Sequence, residues 1–363
     1  VKAKEHQRFV NEVMLKTTPV DDQGQGELCW VYAMLATIET EHLMMGDSVS
    51  LSPDYLARMF LRDQAQRHYL SGGSRQLSLR GMAPMALRLM ERYGAMDYDA
   101  YHNYKGVNYD VLTRKAQQAC RKAASLSQVN EWMDLLLDRE VGYMPRYVFM
   151  MGAEYTPLEF AHSVCRPGEY LQLTSFTHHP FGKPFVLELP DNLMLDRYLN
   201  VPIDTLMDMA VRALRAGHPV CWEGDISEPG FDFDNGVAVL QHENLKADQR
   251  RRQWAFETRR TTDDHCMMLC GIARDHEGRR YFIAKNSWGK NNRYGGFMYL
   301  SENYVRMKTI AMLISGNALP VMGPSARAWK CWPKQTTYFV LWQDECIITE
   351  WPSPARSCQS NRV

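Results

Sequence analysis

The spacing of apolar side chains divides the chain into a helical first part and a β-rich last part. Before residue 165, apolar positions recur close to every 3.6 residues, which is typical of amphipathic helices. The pattern predicts a long helix over residues 27–45 and a second over 53–66, with Ser52 as its N-cap and proline at its first position. Further helices are predicted at residues 85–92, 110–124 and 127–139, and after a capping box formed by Thr156 and Glu159.

The pattern changes after residue 164. Residues 165–200 are rich in proline, histidine and aromatic side chains, which predicts a long excursion over the surface. Asp204 is then expected to cap a helix that ends at Arg215. Short apolar runs bounded by turn residues predict strands at residues 220–222, 265–272, 281–285, 297–300 and 309–314. Helices followed by strands favour an α+β protein of two lobes over a doubly wound sheet.

These boundaries suggest three regions. Residues 1–164 are expected to form a mainly helical lobe, and residues 165–320 an insertion followed by a β lobe. Residues 321–363 differ in composition, since they contain four of the nine tryptophans, and we treat them as a C-terminal extension without an assigned role.

Charge balance narrows the classes of partner. Lys plus Arg and Asp plus Glu both number 42, so the net charge is zero, which argues against nucleic acid or an anionic membrane as the principal partner. The short basic run at residues 250–252 is interpreted as a solvated face. No stretch approaches the ~20 consecutive apolar residues that a membrane-spanning helix needs.

The cysteines point to a reactive thiol more than to a scaffold. There are nine, an odd number, with irregular spacing and no CxxC motif, so neither a disulfide framework nor a zinc ribbon is expected. Residues 266–270 beside His265 could suggest a metal cluster, but the run is apolar and is better interpreted as a buried strand. The sequence therefore predicts no metal and no cofactor.

Three distant segments carry residues suited to nucleophilic catalysis. A glycine-containing loop at residues 22–28 leads into a helix that starts at Cys29, where the helix dipole favours the thiolate. His265 begins a buried strand, and Asn286 ends the strand expected to pair with it. A hairpin would bring Asn286 close to His265, so that the amide oxygen fixes one ring nitrogen while the other faces the thiol.

Each of these residues also has an ordinary structural interpretation. A free cysteine is commonly a small buried hydrophobic residue, a single histidine is often part of the core, and a single asparagine often belongs to a turn. The order and contexts of the three residues support the catalytic interpretation.

The combined motifs resemble those of the papain superfamily of cysteine peptidases, in particular the branch of bleomycin hydrolase and aminopeptidase C in its bacterial, Bacteroidetes-like form. The resemblance covers about nine-tenths of the chain and ends near Pro320. It implies Cys29 as nucleophile, His265 as acid and base, Asn286 as the residue that orients it, and Gln23 as side-chain donor to the oxyanion. It also implies a papain-like fold, with the cysteine helix in one lobe, His and Asn in a β-barrel-like lobe, and a large insertion between them.

The chain departs from that family beside the nucleophile. The family usually has glycine two residues before the cysteine, whereas this chain has Glu27, and Arg80 precedes Gly81 where a substrate-binding glycine pair would align. We expect Glu27, Gly81, Asp264 and Trp288 to contact substrate, and Trp288 to shield the bond between His265 and its asparagine.

Two functions are compatible with these residues. The first is a cysteine peptidase acting on peptides, in which Glu27 selects a free α-ammonium group or a basic side chain, as an aminopeptidase requires. The alternative is a peptidase-like binding protein whose cleft is obstructed near Glu27. Resemblance to bleomycin hydrolase implies a homo-oligomer, there often a hexamer. The chain begins at Val1, which fits removal of a leader or a trimmed cytosolic protein, and the resemblance favours a periplasmic or secreted location.

Overall fold

The computed structural model describes residues 9–150 and 152–318 of the chain. Within these residues, nine α-helices and thirteen β-strands are assigned. The helices are α1 (Cys29–Met45), α2 (Pro53–Leu70), α3 (Ala83–Tyr93), α4 (Tyr109–Lys122), α5 (Leu126–Glu140), α6 (Pro157–Val164), α7 (Ile203–Arg215), α8 (Gln249–Glu257) and α9 (Glu302–Lys308). The strands are β1 (Val10–Met14), β2 (Val148–Met150), β3 (Ala153–Tyr155), β4 (Tyr170–Thr174), β5 (Pro184–Val186), β6 (Arg197–Asn200), β7 (Val220–Gly224), β8 (Phe231–Asp232), β9 (Val237–Ala238), β10 (His265–Arg274), β11 (Arg280–Lys285), β12 (Phe297–Ser301) and β13 (Thr309–Ser315).

One large sheet organises the fold. Its strand order is β5-β6-β4-β13-β7-β10-β11-β12-β9-β8, with β1 added alongside β10, while β2 and β3 form a separate hairpin. Neighbouring strands are antiparallel except for β4 with β6 and β9 with β12. Strand β10 is central: residues 265–269 pair with β7, residues 271–274 pair with β1, and β11 pairs along 268–274. The strand that begins at His265 is therefore held by three others.

Helix α1 is the central helix of the core. Apolar side chains such as Trp30, Met34 and Ile38 are almost completely buried. Its first turn is fixed by Trp30, whose indole N–H donates to the Leu79 carbonyl at 2.8 Å. At its other end Gly46 has a positive φ of 97°, which a glycine adopts without strain and which stops the helix where the sequence predicts a break. Cys29 therefore starts a rigid, buried element.

A buried polar network joins α1 to the sheet. The Glu39 carboxylate accepts from the Thr18 hydroxyl at 2.6 Å and from the Leu51 N–H at 2.8 Å. Thr18 in turn accepts from the Lys285 ammonium group on β11 at 2.8 Å. Burial raises the pKa of Glu39 to about 7, although Lys285 and the hydrogen bonds oppose the shift.

Most predicted elements are present, and the α+β class is confirmed. The capping box of Thr156 and Glu159 forms as predicted, and Ser52 caps α2 by accepting from the Tyr55 N–H. The prediction for Asp204 as a cap is wrong, because α7 begins one residue earlier after Pro202 and Asp204 lies in its first turn.

The prediction of a surface excursion at residues 165–200 is also wrong. This segment contributes β4, β5 and β6 to the sheet, and its aromatic residues Phe176 and Tyr198 are buried. The basic run is only partly solvated: Arg252 on α8 is 1% exposed and donates to the carbonyls of Ser175 and Arg306.

The proposed lobe boundaries at residues 164 and 320 stay predictions. Helices α1 to α6 precede residue 165 and ten of the eleven strands of the large sheet follow it, as that division requires. The C-terminal extension, residues 321–363, lies outside the described residues. Among the helices of the described ranges, none has the length and apolar character needed to cross a bilayer.

Candidate active site

Cys29 is the first residue of α1, and its thiol is half-buried at the floor of a cleft. The residue before it, Leu28, offers no side-chain cap, so the positive end of the helix dipole is directed at the cysteine. Hydrogen bonding from Cys266, together with the hydrogen bond and positive charge of His265, lowers the pKa of Cys29 well below its usual value, although burial opposes this. The thiolate is therefore the favoured form.

The imidazole of His265 lies between Cys29 and Asn286. Its Nε2 donates to Oδ1 of Asn286 at 2.8 Å. The same oxygen accepts from the Ser287 N–H at 2.8 Å, which fixes the amide so that oxygen faces the ring. Burial lowers the pKa of His265, but interaction with the Cys29 thiolate and with Asn286 more than offsets it, and the pKa is raised. A thiolate–imidazolium pair follows from these two shifts.

Trp288 covers one side of this pair. Its ring centroid is 4.7 Å from that of His265, and Phe231 and Phe233 pack edge-on against it at 6.0 and 5.2 Å. The indole thus lies where the sequence predicts a shield for the imidazole, supported by two aromatic residues near β8 that the sequence did not single out.

Gln23 is held beside the nucleophile by both ends of its side-chain amide. Its Nε2 donates to the Gly26 carbonyl at 3.0 Å, and its Oε1 accepts from the Ser287 hydroxyl at 2.6 Å. Because a carbonyl can only accept, the first contact fixes which end of the amide carries the nitrogen. One N–H of that nitrogen remains for another acceptor. The Gln23 N–H also donates to the Ser287 carbonyl at 2.8 Å.

The cleft next to Cys29 has a volume of about 150 Å³. Seven of the eight site residues predicted from the sequence line this cleft. The eighth, Asn286, lies directly behind His265. The residues of the cleft wall are Gln23, Glu27, Cys29, Gly81, Asp264, His265 and Trp288, together with Arg80, Asp191, Asp263 and Cys266. Gly81 is required by close packing, since a Cβ there would lie 2.8 Å from both Met85 and the Trp30 ring.

Arg80 joins the charged groups on the cleft wall. It donates from Nε and NH2 to the Asp191 carboxylate at 2.8–3.1 Å, to the Asp263 carbonyl at 3.0 Å and to Glu27 at 3.3 Å. Glu27 is therefore already paired. Burial raises the pKa of Asp264 to about 6 and raises that of Asp263 well above its usual value.

Four residues at or directly behind the cleft were not predicted from the sequence: Asp191, Asp263, Cys266 and Glu223. Asp191 falls in the segment interpreted as a surface excursion, and nothing in its local pattern indicates a cleft. Cys266 and Glu223 lie on neighbouring strands; Cys266 was included in an apolar run, and Glu223 directly follows the strand predicted at residues 220–222. The signal available for Glu223 was a carboxylate in the strand Val220–Gly224, where every residue is buried.

His178, His179 and Glu188 lie close enough together to be a candidate metal site. The carboxylate contacts Nε2 of both rings. Gln253 accepts from the Thr177 N–H with its oxygen, so its nitrogen donates to Nδ1 of His178. Nε2 of His178 then carries the proton that it donates to Glu188. Because that nitrogen would have to bind the metal unprotonated, we assign none.

Comparison with known proteins supplies a family match. The sequence profile of the Peptidase C1-like family matches residues 149–324, a range that includes His265 and Asn286 but not Cys29. Aminopeptidase G of Lactobacillus delbrueckii subsp. lactis is 26% identical over 148 residues, 38% of this chain and 33% of that protein. Aminopeptidase C of Streptococcus thermophilus is 23% identical over 150 residues, 37% of this chain and 32% of that protein. The matches thus span about a third of the length of these curated relatives.

A solved structure covers more of the chain. The crystal structure of PepW from Lactobacillus rhamnosis HN001 matches with a TM-score of 0.67 and 18% identity, over 86% of this chain and 83% of that one. The two proteins therefore share a fold.

Proposed function

We propose that this chain, which belongs to the papain superfamily, is a cysteine peptidase that cleaves peptide bonds with Cys29 as its nucleophile. The resemblance expected from the sequence is confirmed by the family match and by the fold shared with PepW. The observation that carries the proposal is that the imidazole of His265 has two partners. Its Nε2 binds Asn286, and the other side of the ring interacts with Cys29.

In this mechanism the Cys29 thiolate attacks the substrate carbonyl carbon. His265, held as the imidazolium, donates its proton to the leaving amine, and the neutral ring then accepts a proton from the water that hydrolyses the acyl-enzyme. The bond to Asn286 holds the ring in one orientation through both steps. Trp288 limits the access of water to that bond.

Two donors are suited to the oxyanion formed in the attack. The first is the remaining N–H of Gln23 Nε2, and the second is the backbone N–H of Cys29, which has no helical carbonyl to bond at the first position of α1. We assign these roles because both groups are held by the backbone or by side-chain contacts before substrate arrives.

The charged wall of the cleft supports an aminopeptidase. Glu27 and Asp191 both pair with Arg80, so one negative charge among these three side chains is left over beside the nucleophile, and Asp264 adds a carboxyl group whose pKa burial raises to about 6. A substrate α-ammonium group would be attracted to this surplus. Both curated relatives are named aminopeptidases, and we extend that activity to this chain.

The test compares a fluorogenic aminoacyl amide with its N-acetylated counterpart, using wild type and Cys29→Ala. We expect wild type to cleave the free-amine substrate faster and the variant to cleave neither. Cleavage by Cys29→Ala would refute the mechanism. Equal cleavage of both substrates by wild type would refute aminopeptidase selectivity and leave an endopeptidase.

Thiol labelling distinguishes the peptidase from the alternative, a peptidase-like binding protein. A peptidase requires one fast-reacting thiol among the nine, at Cys29, when iodoacetamide is added at neutral pH. Uniformly slow reaction of all nine would instead support a cleft obstructed near Glu27.

A further inference from the structure

A small cavity lies beside Asn286, separate from the substrate cleft. Its volume is about 10 Å³, which is enough for one water molecule. The small side chains of Ala33 and Ala36 on α1 leave this space open. The residues that line it are Asp21, Tyr32, Ala33, Ala36, Cys266, Lys285, Asn286 and Ser287, and of these only Cys266 also lines the cleft.

Asn286 brings an unused hydrogen-bond donor to this cavity. Its side chain is 2% exposed, and its Oδ1 already accepts from His265 and from the Ser287 N–H. Its Nδ2 is buried and has no hydrogen-bond partner among the described residues. Leaving a buried donor unsatisfied costs about 1–3 kcal/mol, so the amide nitrogen requires an acceptor in the cavity.

Asp21 supplies the acceptor on the same wall. Its backbone carbonyl accepts from the Gly289 N–H at 3.0 Å, which holds the residue beside the loop that follows Asn286. Its half-buried carboxylate makes no hydrogen bond or ion pair with any residue in the ranges that the structure describes. Burial raises the pKa of Asp21, although the positive charge of Lys285 opposes the shift.

Two further polar groups complete the wall. The hydroxyl of Tyr32 lines the cavity and has no hydrogen-bond partner in the described part of the chain. The Lys285 ammonium group donates to Thr18 and has two more protons to donate. A buried water molecule typically makes about three hydrogen bonds, and these groups provide them. A cation does not suit the cavity, because Lys285 places a positive charge on its wall.

We propose that a single buried water molecule occupies this cavity and joins Asn286 Nδ2 to the Asp21 carboxylate, so that Asp21 is a positioning residue of the peptidase. The proposal rests on the proposed function, in which Asn286 orients His265. The water accepts from the amide nitrogen and donates to Asp21. The amide of Asn286 is then held at both ends, at its oxygen by His265 and Ser287 and at its nitrogen by the water.

The first test is a high-resolution crystal structure of the wild-type protein. We expect one water molecule within roughly 2.7–3.2 Å of both Asn286 Nδ2 and a carboxylate oxygen of Asp21. This measurement does not depend on activity. A cavity without water, or a water that contacts Asn286 but not Asp21, would overturn the proposal.

The second test measures peptide hydrolysis. Asp21→Ala should lower kcat by roughly three- to tenfold, the value of one hydrogen bond, with KM little changed because Asp21 does not line the cleft. Asp21→Asn keeps an acceptor oxygen and should stay within about twofold of wild type. Asp97→Ala is the matched control, since that half-buried carboxylate accepts from the Asp99 N–H and does not line the cavity.

A double variant separates positioning from a general structural effect. In an Asn286→Ala background, Asp21→Ala should cause no further loss of kcat, because the amide that the water holds is gone. Tyr32→Phe removes only one partner of the water, and its smaller loss should vanish in the same background. It replaces Asp21→Ala if that variant does not fold.

The outcomes distinguish this proposal from the peptidase mechanism. A loss in Asp21→Ala that persists in the Asn286→Ala background, or an equal loss in Asp21→Asn, would overturn the positioning role and leave the mechanism intact. Wild type without peptidase activity would refute both.

Discussion

The side-chain oxygen of Gln23 accepts a 2.6 Å hydrogen bond from the hydroxyl of Ser287, although 264 positions separate the two residues. The backbones are joined as well: the Gln23 N–H donates to the Ser287 carbonyl, and Asp22 forms an antiparallel bridge with Trp288. The loop before the nucleophile and the loop after Asn286 are therefore one unit. The proposed oxyanion donor is oriented by the same segment that orients the histidine.

This coupling predicts a specific pattern of kinetic losses. Gln23→Ala should lower kcat by on the order of 10²–10³ with little change in KM, as expected for one lost oxyanion donor. Ser287→Ala should cause a smaller loss, because it removes only the hydroxyl that fixes the Gln23 amide. In the double variant the two losses should not multiply. Multiplicative losses would show that Ser287 acts independently of Gln23.

Substitution of the nucleophile should separate activity from stability. Cys29→Ala is expected to abolish turnover while the melting temperature stays within a few degrees of wild type. The thiol is half-buried, and the substitution removes only one sulfur atom from the packing. Thermal unfolding and peptide hydrolysis are measured on the same preparation. A large loss of stability would mean that Cys29 serves the core.

Substitutions of His265 and of Asn286 should differ in how much activity they remove. His265→Ala removes the acid and base and should eliminate activity, and it should raise the pKa of Cys29 toward ~8.5. Asn286→Ala removes one hydrogen bond of 2.8 Å and leaves the ring in place, so we expect a partial loss. Rates measured across pH test this ranking, which equal losses would contradict.

The charged wall predicts an effect on substrate choice. Glu27→Gln should reduce the advantage of a free-amine substrate over its acetylated form by roughly two- to fivefold, since exposed charge interactions are worth about 0.2–1 kcal/mol. Asp191→Asn should act in the same direction, because it leaves Arg80 with less negative charge beside it. Asp208→Asn is a control: it also removes a carboxylate paired with an arginine, but on α7. An unchanged ratio in both cleft variants would exclude electrostatic selection of the amine.

Glu39 predicts a pH dependence of stability that is separate from catalysis. Its pKa is raised from 4.5 to about 7 in the folded chain, so the folded state binds the proton more tightly than the unfolded state does. The stabilisation is complete below pH 4.5 and is lost as pH rises to about 7. Glu39→Gln has no such loss, so its stability relative to wild type should increase over that interval by roughly 3 kcal/mol and then level off. Urea unfolding at several pH values measures this, and a constant difference would contradict it.

The sequence predicted site residues best where the neighbouring residues in the chain explain the position of the side chain. Cys29 follows a glycine-containing loop at a helix start, and the strands bearing His265 and Asn286 are bounded by clear turn residues, so these positions could be predicted. Asp191 could not, because its role depends on contact with Arg80, 111 positions away, and carboxylates in aromatic-rich segments are usually solvated.

Buried polar residues were obscured for a different reason. Glu223 lies in a strand that is buried along its whole length, and the apolar character of its neighbours dominates the pattern. Only the register of β7 with β10 reveals that it faces Cys266. The same limit applies to residues 165–200, where strand pairing with distant segments, and not local propensity, decides the structure.

The position of β13 in the sheet has a consequence for biosynthesis. This strand is the last one described, and it lies between β4 and β7, with β7 separating it from the strand β10 that begins at His265. Until residues 309–315 leave the ribosome, the strands on either side of that position have no partner to join them. A nascent chain therefore carries Cys29 long before the large sheet can be completed, and completion of the sheet waits until the last part of the described chain has been made.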